Sequence, residues 1–97
     1  MTRFFLTAIA QSDIRSAKRY YESQRPGLGK KFLDRVWERI ERILAHPRAA
    51  RIVEADFRKA KISKFQFYLY YYIDGDAIVI FTVLHERRHP DFWKKRL

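Results

Sequence analysis

Histidine, arginine and carboxylate side chains gather at one place in this sequence. His85, Glu86, Arg87, Arg88 and His89 follow one another without a break, and Pro90 closes the series. An imidazole titrates near neutrality and can take or give a proton. A guanidinium stays charged and holds carboxylates or phosphates in a planar fork. Two further cations, Arg58 and Lys61, and two carboxylates, Glu54 and Asp56, lie earlier in the chain. Such a set can bind an anionic partner. It can also do acid–base chemistry, with His85 as base or acid and Glu54 or Asp56 as an alternative base. Each residue has a plainer role as well. His85, at the end of a buried strand, can bond a neighbouring backbone group. Arg87 and Arg88 can pair with Glu86 or Asp91 on a solvated edge.

The element that delivers this cluster is an apolar run, Ile78, Val79, Ile80, Phe81, Thr82, Val83 and Leu84. A run of this length reads as a central strand covered on both faces. Pro90 cannot continue it, and Phe92 and Trp93 are expected to fasten the tail to the body as core or lid. Before this run, Phe65 to Ile73 is strand-like throughout. Alternation puts Phe67, Leu69, Tyr71 and Ile73 on one face and Tyr68, Tyr70 and Tyr72 on the other. That tyrosine row is either packing under a covering segment or a platform for stacked bases. Asp74-Gly75 marks the hairpin to the final strand. Asp56 to Ile62 alternates as a further strand, with Arg58 on one face and Lys59 and Lys61 on the other.

The first half is helical. Arg3 to Leu6 reads as a short strand and Thr7 as a cap. Ala10, Ile14, Ala17 and Tyr21 then fall at helical spacing, with Asp13, Arg15, Lys18, Arg19 and Glu22 on the opposite face. Arg25-Pro26-Gly27 breaks the helix. Phe32, Val36, Ile40 and Ile43, flanked by Leu33, Trp37 and Leu44, form the apolar stripe of a second helix that ends before Pro47. Its Lys30, Lys31, Arg35 and Arg39 read as solvated surface. Arg48 to Ala55 has no clean period and is expected to be loop. The predicted fold is α+β: an N-terminal strand, a helical hairpin packed on one face, then three strands (β-α-α-β-β-β), forming an antiparallel sheet with a short C-terminal tail or helix.

The 97 residues suffice for one domain, residues 1–97. There is no cysteine, so disulfides and thiolate metal sites are excluded. Nothing calls for a metal or a cofactor, and no segment approaches a membrane span or a signal peptide. A cytoplasmic protein fits. The net charge of +10 predicts an acidic partner.

Three passages together resemble the ParE/RelE superfamily, the toxins of type II toxin–antitoxin pairs, over nearly the whole chain. They are Tyr20, Tyr21, Gln24, Pro26, Leu28, Gly29 and Phe32 at the helix junction, the aromatic strand from Phe65 to Tyr71, and the ending from His85 to Trp93. The spacing His-x-Arg-Arg-x-Pro-x-x-Trp in that ending is similar to the ParE-like branch. The resemblance implies a growth-inhibiting toxin, held inactive in complex with a small acidic antitoxin. It implies one of two targets, DNA gyrase or, in RelE-like members, mRNA on the ribosome. Cleavage of RNA needs a base, cations against the phosphorane and an acid at the leaving oxygen. His85, Arg58, Lys61 and Arg87 or Arg88 would supply these. RelE-like nucleases, however, usually carry a C-terminal tyrosine, and no tyrosine follows Tyr72 here. The ParE-like reading is therefore preferred. It assigns no catalytic residue, and gives partner or target binding to Arg58, Lys61, His85, Arg87, Arg88 and Trp93.

Overall fold

The computed structural model describes residues 3–88 and 90–97. Its elements are β1 (Arg3–Leu6), α1 (Ala8–Gln24), α2 (Leu28–Ala45), β2 (Arg51–Glu54), β3 (Phe57–Lys61), β4 (Phe67–Asp74), β5 (Ala77–His85) and a 3₁₀ turn, Phe92–Arg96. The strands form one sheet in the order β1-β5-β4-β3-β2. The α+β class and the central place of β5 are as predicted. Thr7 caps α1 as predicted: its Oγ1 accepts the Ala10 N–H at 3.1 Å and donates to the Phe81 carbonyl at 2.9 Å.

Two expectations need correction. The stretch from Arg48 to Ala55 contains a strand, β2, paired antiparallel to β3 across a tight turn with Ala55 at φ 49°. It is a short outer strand with a register irregularity between Ile52 and Glu54, so no clean alternation marks it. The sheet is also mixed and not wholly antiparallel. β1 runs parallel to β5, because the helical hairpin carries the chain from one sheet edge to the other before the meander begins.

The apolar stripes meet where expected. Phe32, Val36, Ile40 and Ile43 of α2, with Ala10, Ile14 and Ala17 of α1, pack on Ile62, Leu69, Tyr71, Ile78, Ile80 and Val83. On the opposite face Tyr70, Phe81, Leu84 and Trp93 make a second, aromatic cluster flanked by Phe57, Tyr68, Tyr72 and Phe92. Both faces of β5 are thus covered, and a continuous apolar run follows from that.

A bulge divides β5. Tyr70 pairs with Thr82 but Tyr71 pairs with Ile80, leaving Phe81 as the extra residue. Ile78 and Ile80 before it, and Val83 after it, face the helices, while Phe81 turns into the aromatic cluster. The helical hairpin is held just as locally. Gly27 takes φ 87°, which a side chain would resist. Glu22 accepts the N–H groups of Gly27 and Gly29 at 3.0 Å each. A carboxylate near the end of α1 therefore caps the start of α2.

Candidate partner-binding site

The cluster after β5 stands as a rim at one end of the sheet. His85 closes the strand, partly exposed, on the helix side of the sheet, with its ring edge-on to Phe67 at 5.2 Å. Its Nδ1 accepts the backbone N–H of Arg87 at 3.1 Å. That bond commits the ring proton of the neutral imidazole to Nε2, leaving a donor and no free base. The plainer role read from the sequence is the one found. Arg87 and Arg88 are exposed, and neither closes an ion pair with a described residue. The Arg88 guanidinium lies over the Phe92 ring at 4.8 Å. His89 lies outside the described residues.

Arg88 stands between two hollows. One, of about 230 Å³, opens between α1 and the end of β5 and is lined by Asp13, Tyr20, Phe67, His85, Arg88 and Arg96. The other, of about 270 Å³, lies across the sheet's aromatic face beside Arg51, Lys59, Tyr68, Glu86 and Trp93. Lys61 joins the second through Glu86, 3.6 Å away. Lys59 sits over the Tyr68 ring at 4.5 Å. His85, Lys61, Arg87 and Arg88 therefore share one end of the sheet.

Arg58 and Trp93 make their contacts within the protein. Arg58 pairs across the ladder with Tyr71, on the helix side of the sheet. It donates to the carbonyls of Arg48 at 2.9 Å and Ala50 at 2.7 Å, fastening the loop before β2. Trp93 is 3% exposed and lies nearly parallel to Tyr70, at an interplanar angle of 17°. It is core under the tail. Burial raises the Tyr70 hydroxyl pKa above its ordinary value for the same reason. Tyr70, at the centre of the tyrosine row, thus packs beneath a covering segment and is not an open stacking platform. Of the two carboxylates that could have served as a base, Glu54 is held by Lys94 at 3.0 Å and Asp56 lies exposed in the β2–β3 turn.

Asp13 is expected on the face opposite the apolar positions of α1, and the structure corrects this. Its Oδ2 accepts the Thr82 hydroxyl at 2.8 Å and the Val83 N–H at 3.0 Å, and its Oδ1 meets Arg96 at 3.4 Å. Asp13 falls three residues after Ala10 and four before Ala17, the spacing of an inward position. That signal was present in the sequence but was masked by the residue's charge. Among the described residues no group of three or more His, Asp or Glu is placed to hold a metal. No described helix is long and apolar enough to cross a membrane.

A family model described as the ParE toxin of type II toxin–antitoxin systems, parDE, matches residues 4–90. No curated protein matches the chain. Among solved structures, one chain of a chromosomal ParDE toxin–antitoxin system from P. aeruginosa superposes with a TM-score of 0.77 at 18% identity. The match covers 88% of this chain and 96% of that one. At that identity the likeness is one of fold.

Proposed function

We propose a function on the footing that this chain belongs to the family of ParE toxins of type II toxin–antitoxin systems: it arrests growth in the cytoplasm by binding DNA gyrase, and a small acidic antitoxin holds it inactive. The contact surface is the rim at the end of β5, with His85, Arg87 and Arg88 against the partner and Lys61 beside them. The observation that carries this reading is the separation of the groups that RNA cleavage would need. The His85 lone pair is spent on the Arg87 amide, and Arg58 is tied to the carbonyls of Arg48 and Ala50 in the loop before β2. Arg87 and Arg88 meanwhile are exposed and close no ion pair with a described residue. Exposed guanidiniums beside an apolar hollow suit an acidic polypeptide, for which they supply steering and register.

The test is to release the protein in growing cells without its antitoxin. Filamentation, SOS induction and trapped gyrase–DNA complexes are expected while translation continues. Rapid loss of translation with mRNA cut on ribosomes would instead establish the ribosome-dependent nuclease. Co-purification of the co-expressed antitoxin, lost at high salt, tests the second half of the proposal.

A further inference from the structure

Away from this rim, the C-terminal half of α2 faces the loop before β2 and the adjoining β3. Arg39, Arg42 and His46 line a cavity there of about 160 Å³, with Ala49, Ala50 and Ala60 at its other walls. Arg39, Arg42 and His46 are spaced by three and four residues, so they fall on one face of α2 and its cap. None of the three side chains donates a hydrogen bond to, or forms an ion pair with, a described residue, and no carboxylate lines the cavity. Arg58 holds the neighbouring Ala50 carbonyl at 2.7 Å.

A helix C-terminus favours cations, and that accounts for Arg42 and His46 in and just after the last turn. It does not account for Arg39, which lies further up the helix and is half-buried. Burial, with the charge of Arg42 next in effect, lowers the Arg39 guanidinium pKa below its ordinary value. The Arg39 and Arg42 guanidiniums thus converge on a small, alanine-walled space that no described carboxylate lines. One bound anion would relieve both the desolvation and the repulsion.

We propose that Arg39, Arg42 and His46 form a binding site for a phosphate group, presented by a nucleotide or by a nucleic-acid backbone. A carboxylate is satisfied by a single guanidinium fork. Donors converging from two forks and an imidazole match the several oxygens and larger charge of a phosphate. The proposal does not depend on the toxin reading, since it concerns other residues on another part of the molecule.

Titration of the intact protein with inorganic phosphate at constant ionic strength, followed by NMR, tests it. Saturable shifts are expected at the His46 ring and the methyls of Ala49, Ala50 and Ala60. The double variant R39Q/R42Q should bind at least about tenfold more weakly. R15Q/R19Q removes the same charge from the exposed face of α1 and should bind as the wild type does. R39K/R42K, which keeps charge but loses the forks, should fall between. Shifts that never saturate, shifts spread evenly over all basic faces, or equal weakening in R15Q/R19Q would overturn the proposal. Competition then separates the sources: adenosine diphosphate alone displacing phosphate identifies a nucleotide, and a short DNA duplex displacing it identifies a backbone.

Discussion

His85 has its Nδ1 occupied by the Arg87 amide, which fixes the ring and removes it as a base. His85→Ala should therefore weaken growth arrest only modestly, as one lost contact would, measured by colony counts after induction, provided circular dichroism shows a folded variant. Complete loss of toxicity in a folded variant would return the imidazole to a chemical role. Glu22 illustrates a different dependence. The N–H groups of Gly27 and Gly29 hold its carboxyl below the ordinary value of 4.5. A carboxyl pKa that is lower in the folded state adds stability above the unfolded value, and that stability is lost as the pH falls through the folded value. Glu22→Gln should thus lower the urea midpoint at neutral pH, and its gap from wild type should close as the pH drops below 4.5. A constant gap across that range would remove the charge-assisted cap as the cause.

The helical hairpin depends on a close approach that the sequence marks only with a glycine. A Cβ at Gly29 would stand 2.9 Å from the Lys18 carbonyl oxygen, a backbone atom that cannot swing aside. Gly29→Ala should destabilise the protein by about 1–3 kcal/mol in urea unfolding, the usual cost of overpacking. The C-terminal 3₁₀ turn rests on one side chain. Trp93 packs against Tyr70, Phe57 and Phe81, so Trp93→Ala should cost about 3–5 kcal/mol by thermal or urea melts. A loss under 1 kcal/mol would mean that the tail merely lies on the sheet. These elements differ in how openly the sequence declares them. α2 announces itself because a 3.6-residue stripe is written over 18 residues. β4 does so because its two faces alternate without interruption. β2 has four residues and an irregular register, too little for periodicity to act on.

Across the molecule, the net charge of +10 is spread over both helices and the sheet end, and it sets how partners arrive. Reversing Arg87 and Arg88 to Glu should weaken antitoxin binding most strongly at low salt, with the difference shrinking as the Debye length falls from about 30 Å at 0.01 M to about 10 Å at 0.1 M. Unchanged affinity by low-salt calorimetry would place the partner elsewhere. The rim itself was legible because an apolar strand can only end in its next residues, so the His85 to Arg88 cluster had to stand at a sheet end. Which members would meet was not legible. Strand parity separated Arg58 from Lys61, but only the folded loop before β2 shows what Arg58 holds. Nor could the sequence reveal the bulge at Phe81, since an unbroken apolar run looks the same with or without an extra residue.

That bulge and the chain's end are fastened by one carboxylate. Asp13 takes the Val83 amide and the Thr82 hydroxyl with one oxygen and meets Arg96 with the other. The first helix and the final residues therefore loosen together. Clipping the last two residues with a carboxypeptidase should quicken amide exchange at Val83, deep in the middle of the fold, before any distant segment responds.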